Sequence, residues 1–168
     1  MKFRQGREHM MKTEMMLDVN GSKLFVKVFR AHSDKPAIVM DAGYGDYSKA
    51  WDRVIDDISK NNNVLIYDRA GLGRSEPSMH PRTSLQMVLE LHELLRAGDL
   101  QPPYIIVGHS FGGVNARLFA TEFENEVCGL ILVDSTPEDY KERFLPTMSA
   151  EFQDRYNKQF VHEGNWIA

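Results

Sequence analysis

A serine flanked by glycines is the residue of this sequence best placed to do chemistry. Ser110 lies within Gly-His-Ser-Phe-Gly-Gly, residues 108–113, between the apolar run 103–107 and the helix-compatible stretch 114–124. A strand, a G-x-S-x-G pentapeptide and a helix in succession are typical of a nucleophile elbow, a sharp turn that exposes the serine hydroxyl. A chance pentapeptide is the alternative, and the flanking strand and helix argue against it.

The glycines around Ser110 fit such a turn. Gly108 and Gly112 stand two residues before and after the serine, where neighbouring backbone passes too close for a side chain, and Gly113 eases the packing of the helix that follows. The turn places the Phe111 amide at a helix N-terminus, where the N–H has no helical acceptor and the dipole favours negative charge. Phe111 is therefore a candidate donor to the oxyanion of an acyl-transfer reaction.

Composition limits the partners and the location. The chain has 168 residues, enough for one domain with a hydrophobic core, and a net charge of −4. It has no basic field to attract nucleic acid or an anionic membrane, and no apolar run near the ~20 residues of a membrane helix. The basic segment 1–12 lacks the apolar centre of a signal peptide. Cys128, the single cysteine, lies in an apolar run and is predicted to be a buried structural thiol, so we expect a cytoplasmic protein.

No metal or cofactor motif is visible. The sequence lacks H-E-x-x-H and a cysteine pair, and its histidines are scattered. Gly71-Leu72-Gly73 lacks the rest of a dinucleotide fingerprint, and there is no phosphate loop. We therefore expect no metal and no cofactor, and a small-molecule substrate.

Apolar runs that alternate with helical patterns predict an α/β fold. Residues 14–30 predict a hairpin around Asn20-Gly21, the favoured dipeptide of a two-residue turn. Thr83 and Gln86 predict a capping box at the start of one helix, and Gly98 predicts its end. The other strands are predicted at 36–40, 63–67, 103–107 and 127–133, and the helices at 48–60, 83–97 and 149–160. The result is a mostly parallel, doubly wound sheet, covered on both faces, with an antiparallel hairpin at its start.

The order of the loops resembles the α/β-hydrolase superfamily from about residue 14 to residue 140. Residues 41–45 follow the third strand, where the family keeps its oxyanion loop, and residues 67–75 look like the family's Asp-Arg-x-Gly-x-Gly-x-Ser loop. The elbow at 108–113 and the strand end at 132–135 follow in family order. The resemblance implies strand order 1-2-4-3-5-6 and a fold truncated after the sixth strand. It divides the chain into a flexible arm (1–13), a partial core (14–136) and the start of a lid or cap region (137–168).

The resemblance also assigns a second oxyanion donor, the backbone N–H of Tyr44. The family's usual histidine is here Asp41, a departure for which we favour a structural role in orienting the loop. The loop from Asp68 to Ser75 is interpreted as scaffolding, with Asp68 and Arg69 forming hydrogen bonds under the site.

A serine nucleophile needs a base near pH 7, and the superfamily's chain order is serine, acid, histidine. Asp134 ends the sixth predicted strand and is the candidate acid; a carboxylate bonded to loop amides is the alternative. His162 is the only histidine after it, but it falls in the predicted lid region, so we favour a C-terminally shortened hydrolase over His162 as base.

The other histidines are poorer candidates for the base. His9 and His32 come too early in the chain, and His80 precedes the capped helix. His92 is expected on the solvent side of that helix, and the side chain of His109 is expected to point into the surrounding fold.

The strand predicted at 127–133 has no predicted neighbour on one side. Its unpaired N–H and C=O groups beside apolar side chains favour pairing with another chain. We expect the isolated protein to dimerise through this edge, to bind a complementing chain there, or to be poorly soluble as a monomer.

The leading function is a serine hydrolase that cleaves carboxylic esters through an acyl-enzyme, weak or inactive if the catalytic histidine is missing. One alternative is a binding module that does not catalyse, or that a partner chain completes with the missing strands and histidine. Another is a cofactor-free perhydrolase, which uses the same serine site. A serine at the elbow, where an aspartate would be needed, argues against haloalkane dehalogenase and epoxide hydrolase chemistry.

Overall fold

The protein is described here from a computed structural model that covers residues 11–31 and 33–161. Residues 1–10, which make up most of the predicted N-terminal arm, lie outside the described residues. So do His32 and His162.

A long hairpin forms one margin of the sheet. Strand β1 (Met11–Val19) pairs antiparallel with β2 (Ser22–Arg30) around Asn20 and Gly21, whose φ values are +52° and +86°. Two successive positive φ values are the mark of the turn that the Asn-Gly dipeptide predicts. Strand β1 begins at Met11, three residues earlier than predicted, so residues 11–13 belong to the sheet and not to the arm.

The described residues form one six-stranded sheet in the order β1-β2-β4-β3-β5-β6. Its remaining strands are β3 (Ala37–Asp41), β4 (Val64–Tyr67), β5 (Tyr104–His109) and β6 (Val127–Val133). The β3–β4, β3–β5 and β5–β6 pairs are parallel, whereas β2 pairs antiparallel with β4. The predicted α/β fold and strand order are both confirmed. Because the carboxyl ends of parallel strands share one edge, the loops after β3, β5 and β6 meet there.

Within residues 11–31 and 33–161, five α-helices connect or follow the strands. They are α1 (Ile55–Ser59), α2 (Ser84–Ala97), α3 (Phe111–Glu122), α4 (Tyr140–Arg143) and α5 (Ala150–Val161), with 3₁₀ turns at Ser48–Trp51, Glu124–Glu126 and Leu145–Thr147. The Oγ1 of Thr83 accepts a hydrogen bond from the Gln86 N–H (3.2 Å), and the Gly98 N–H bonds to the Leu94 carbonyl (2.9 Å). The Gln86 side chain reaches Glu90 instead of Thr83, so half of the predicted capping box forms.

The prediction of one continuous helix over 48–60 is wrong. The segment forms a 3₁₀ turn, then a hydrogen-bonded turn at residues 52–54, then α1. Its first turn is tied to the loop after β4, because the Ser48 N–H bonds to the Asp68 carboxylate (2.9 Å). The buried side chains of Trp51 and Ile55 still pack in one cluster, so the apolar pattern survives the break in the helix.

Side chains bury both faces of the central strands. On one face, residues of β2–β5 pack against α2 and α3 through Leu91, Leu94, Leu95 and Phe119. On the other face, Met40, Ile66 and Val107 pack against Trp51 and Ile55. No described helix is long and apolar enough to span a membrane.

Strand β6 differs, because no described strand lies beyond it. Four consecutive apolar side chains, Leu130–Val133, are 40–50% exposed. The prediction that Cys128 is buried is wrong: its side chain is exposed on this edge strand, with Sγ 3.3 Å from the Tyr104 carbonyl oxygen. The apolar run predicted the strand correctly, but burial also needs a neighbour, and none is described here.

Candidate active site

Ser110 occupies a sharp turn between a strand and a helix. Strand β5 ends at His109 and α3 begins at Phe111, so Ser110 is the only residue between them. Its φ is +50° and its ψ is −117°, a conformation that non-glycine residues rarely adopt. The side chain is half-buried. This is the strand–turn–helix geometry that the sequence predicts.

The glycines around Ser110 are required by close backbone contacts. A Cβ on Gly108 would lie closer than 3.0 Å to the Gly112 carbonyl, and one on Gly112 would lie equally close to the carbonyl oxygens of Asp41 and Ala42. A Cβ on Gly113 would overlap the Ser135 side chain. Gly108 and Gly112 therefore allow close packing of β5, α3 and the loop after β3. Gly113 allows the loop after β6 to pack against α3.

The loop after β6 is bonded directly to the turn. The Ser110 N–H donates to the Val133 carbonyl (3.1 Å), and the Thr136 N–H donates to the Ser110 carbonyl (3.0 Å). The Ser110 hydroxyl lies 3.4 Å from the Thr136 hydroxyl. Sequence reasoning missed Thr136, and no signal could have found it, because the contact depends on how this loop folds back.

Arg117 of α3 anchors the same loop. Its Nη1 donates to the Ser135 hydroxyl (2.6 Å) and its Nη2 to the Thr136 carbonyl (2.7 Å). Its Nε pairs with the Glu138 carboxylate, and this hydrogen bond holds the pKa of Glu138 below its ordinary value. The position of Thr136 is therefore fixed from α3.

Asp134, the candidate acid, lies at the start of this loop with φ +43°. Its side chain is exposed and makes no hydrogen bond to residues 11–31 or 33–161. The described side chain that meets the Ser110 hydroxyl is Thr136. A catalytic acid acts by orienting a histidine base, and no described histidine lies beside Asp134. A role of Asp134 as the acid therefore needs a base from outside the described residues.

The loop after β3 brings the second candidate oxyanion donor to the turn. The ring of Tyr44 packs edge-on against the ring of Phe111, with centroids 6.2 Å apart. Phe111 is the first residue of α3, where N–H groups point out of the helix end. The two residues predicted to hold an oxyanion are therefore neighbours.

A buried ionic network lies under this loop. The guanidinium of Arg69 pairs with the Asp41 carboxylate and donates to the carbonyls of Ala42 (2.7 Å) and Gly43 (2.5 Å). The Asn115 amide donates to the other carboxylate oxygen of Asp41 (2.9 Å). These contacts match the structural roles expected for Asp41 and Arg69. Burial, reinforced by Asp41, raises the pKa of the neighbouring Tyr67 well above its ordinary value.

Asp68 supports the same region from the next position. Its carboxylate accepts hydrogen bonds from the backbone N–H groups of Ser48 and Arg74, each at 2.9 Å. Its side chain is buried and engaged on both oxygens, which matches the scaffolding role predicted for this loop.

None of the described histidines bonds to Ser110. His80 is exposed, and the ring of His109 lies beside Gly43 and edge-on to Trp51, with centroids 6.4 Å apart. The prediction that His92 faces solvent is wrong. Its ring stacks on Phe123 at 3.8 Å, and its Nε2 lies 3.2 Å from both carboxylate oxygens of Glu126, because α2 packs against the end of α3. His162 is outside the described residues.

Residues 11–31 and 33–161 contain no group of three or more histidine, cysteine or acidic side chains that could hold a metal ion. The site that the structure builds around Ser110 consists of the first turn of α3 and the loops after β3 and β6. The network of Asp41, Arg69 and Asn115 supports it from below.

Comparison with known proteins agrees with this architecture. The chain is 36% identical over 136 residues to the uncharacterized protein YqjL of Bacillus subtilis (strain 168), covering 80% of this chain and 53% of YqjL. A solved structure named as a "predicted CIB-like hydrolase" from Thermoplasma acidophilum is 27% identical with a TM-score of 0.69, covering 83% of this chain and 69% of that one. The Cif epoxide hydrolase of Acinetobacter nosocomialis, at 20% identity and a TM-score of 0.73, shares the fold over 88% of this chain and 46% of its own.

The chain thus spans about half the length of YqjL. The model of the family described as "alpha/beta hydrolase fold" matches residues 36–165, which include the loop after β3, the turn at Ser110 and β6. The match extends over most of the chain and agrees with the observed strand order. The protein belongs to the α/β-hydrolase family.

Proposed function

We propose that the protein is a serine hydrolase in which Ser110 attacks the carbonyl carbon of a small carboxylic ester. The backbone N–H groups of Phe111 and Tyr44 stabilise the tetrahedral oxyanion, which collapses with cleavage of the ester C–O bond and release of the alcohol. Water then hydrolyses the acyl-enzyme to the carboxylic acid and frees Ser110. The observation that carries the proposal is the conformation of Ser110, with φ +50° between β5 and α3. A hydroxyl nucleophile forms an ester intermediate, and this favours acyl transfer over the epoxide chemistry of the Acinetobacter nosocomialis relative.

The proposal needs a base that takes the proton of Ser110. The described histidines lie elsewhere, so Asp134 and His162 remain candidates for the acid and the base. Without a base, the rate falls by about 10⁴ to 10⁶, and only the oxyanion amides and substrate binding contribute. The activity of the isolated chain therefore reports whether a base is present.

A fluorophosphonate probe tests the nucleophile directly. We expect the wild-type chain to be labelled at Ser110, as located by peptide mass spectrometry, and Ser110→Ala to lose the label. Ser149→Ala, an exposed serine before α5, is the matched control and should be labelled like the wild type. Absence of labelling at Ser110 would mean that the isolated chain has no activated serine.

The exposure of β6 favours a second candidate, a half-site that a partner chain completes. A strand added parallel to β6 would end beside the loop that contacts Ser110, because parallel strands share their carboxyl edge. A histidine after that strand would then be placed to take the proton of Ser110. The exposed apolar residues of β6 support a partner strand that is itself apolar on both faces.

Light scattering separates this candidate from the first. A chain that is monomeric and is labelled rapidly at Ser110 needs no complement, and the second candidate then fails. A folded chain that is unlabelled alone, and becomes labelled when a strand-bearing partner polypeptide is bound, supports it. Dimerisation that is lost in Ile131→Lys would identify a second copy of this chain as the occupant of the edge.

A further inference from the structure

One buried arginine contacts Phe111 and the residue before Tyr44, next to both proposed donors of the oxyanion hole. Arg69 follows β4 and is 4% exposed. Its Nη2 donates to the Gly43 carbonyl (2.5 Å), and its Nη1 donates to the Ala42 carbonyl (2.7 Å). Its Cζ lies 5.5 Å from the centre of the Phe111 ring. Arg69 thus reaches the loop that carries Tyr44 and the residue that begins α3.

The bond to Gly43 matters because of how a peptide group is built. The Gly43 carbonyl and the Tyr44 N–H belong to the same planar unit, and in a trans peptide they point in opposite directions. Because the guanidinium of Arg69 binds the Gly43 oxygen, the Tyr44 N–H points away from Arg69. Arg69 thus fixes the direction of this N–H without contacting a substrate.

The same bond changes the strength of the amide as a donor. A charged donor on the carbonyl polarises the peptide group, and chains of hydrogen bonds strengthen one another in a protein interior. Because Asp41 neutralises the guanidinium, the effect reaches the site through this peptide and not through a bare charge. Asn115 holds the second carboxylate oxygen of Asp41, so α3, β3 and the loop after β4 fix one arrangement.

We propose that Arg69 is the positioning residue of the oxyanion hole, setting the direction and donor strength of the Tyr44 amide. Asp41 and Asn115 hold the guanidinium in place. The inference rests on the proposed serine-hydrolase function and adds a residue that touches neither substrate nor nucleophile. It also gives a role to Asp41, which stands where the family usually has a histidine.

Arg69→Lys is the direct test, because a lysine ammonium cannot bridge a carboxylate and two carbonyls in the way a planar guanidinium does. We expect fluorophosphonate labelling of Ser110 to slow by about 10- to 100-fold, somewhat less than for outright loss of an oxyanion donor. For hydrolysis of p-nitrophenyl butyrate, kcat should fall by the same factor with KM unchanged. Arg74→Lys, in the same loop but with its guanidinium over Phe25, is the matched control and should behave as the wild type.

A second variant covers the case in which Arg69→Lys does not fold. Asn115→Ala removes one support of Asp41 and leaves the ion pair, so we expect a smaller fall in kcat, again with KM unchanged. Wild-type rates in Arg69→Lys overturn the proposal, and so does an unchanged kcat in Asn115→Ala when Arg69→Lys is unfolded.

A separate readout applies if the wild-type chain is not labelled at Ser110, which would defeat the proposed function itself. The amide resonance of Tyr44 in ¹⁵N-labelled protein reports the peptide without catalysis. We expect Arg69→Lys to shift the Tyr44 amide resonance and Arg74→Lys to leave it unchanged. If Arg69→Lys does not fold, Asn115→Ala should shift the same resonance. A Tyr44 resonance that stays in place overturns the inference independently of activity.

Discussion

Strands β5 and β6 are parallel neighbours of similar apolar composition, yet their surroundings are opposite. Ile106 of β5 is fully buried, whereas Ile131 of β6 is 50% exposed. Strand β5 lies between two strands and is covered by α3 on one face and by Trp51 and its neighbours on the other. Strand β6 has a strand on one side only in the part of the chain that the structure describes. The hydrophobicity of a segment therefore predicts that it is a strand, while burial is decided by what lies beside it.

The glycines of the two strands show the same contrast. Gly108, near the end of β5, lies against the backbone of Gly112 and Gly113, so a side chain there would meet main-chain atoms that cannot move away. The three atoms nearest to an added Cβ on Gly129 of β6 all belong to the Ile105 side chain, with Cγ1 at 3.3 Å. The end of β5 is tightly constrained, and we expect β6 to tolerate change better.

The largest expected effect comes from adding one methyl group at the elbow. Gly112→Ala should lower the free energy of unfolding by about 3 kcal/mol, because its Cβ would overlap the carbonyls of Asp41 and Ala42. Gly129→Ala, the matched change in β6, should alter it by less than about 1 kcal/mol. Urea denaturation followed by circular dichroism measures both. Equal losses would mean that β6 is as tightly packed as the turn that joins β5 to α3.

A smaller effect is expected from truncating an isoleucine in each strand. Ile106→Ala should destabilise the fold by about 2 kcal/mol, the low end for such a truncation, since it leaves a cavity in the core. Ile131→Ala should lower stability by only about 1 kcal/mol, because half of this side chain already meets solvent. The same denaturation experiment, repeated at several protein concentrations, measures both changes. A loss at Ile131 that equals the loss at Ile106 and grows with concentration would show that another chain covers the edge.

Chemical labelling of Cys128 tests the exposure of β6 with the smallest expected effect on the stability of the fold. Its exposed side chain should react with a thiol reagent in the folded protein, without denaturant, and Cys128→Ser should abolish the signal. The reaction reports the exposure of β6 without changing the sequence of the strand. A thiol that reacts only after unfolding contradicts an open edge.

The sequence predicts the sheet well because its strands are short, apolar and separated by clear turns. The Asn20-Gly21 turn, the cap at Thr83 and the stop at Gly98 are all local signals, and the structure places each element there. The signal for the turn at Ser110 is equally local, because the strand, the glycines and the helix that form it are next to Ser110 in the sequence. These features depend on a few neighbouring residues, so sequence alone specifies them.

The misses all depend on distant partners. Cys128 was predicted to be buried from its apolar neighbours, and it is exposed because β6 lies at the sheet edge. His92 was placed in solvent from its position on a helix, and Phe123 and Glu126 cover it. Thr136 meets Ser110 only after a loop returns across the sheet. Tertiary contacts of this kind leave no periodic trace in the chain.

The backbone of Ser110 is fastened to the final carbonyl of β6. Local unfolding of β6 would therefore release the Ser110 backbone while the other strands stay folded. For the proposed nucleophile, mild heating or dilute urea should then abolish labelling of Ser110 before global unfolding. A partner bound along β6 would stabilise the conformation of Ser110, so the stability of this edge strand would set how the proposed activity responds to temperature and denaturant.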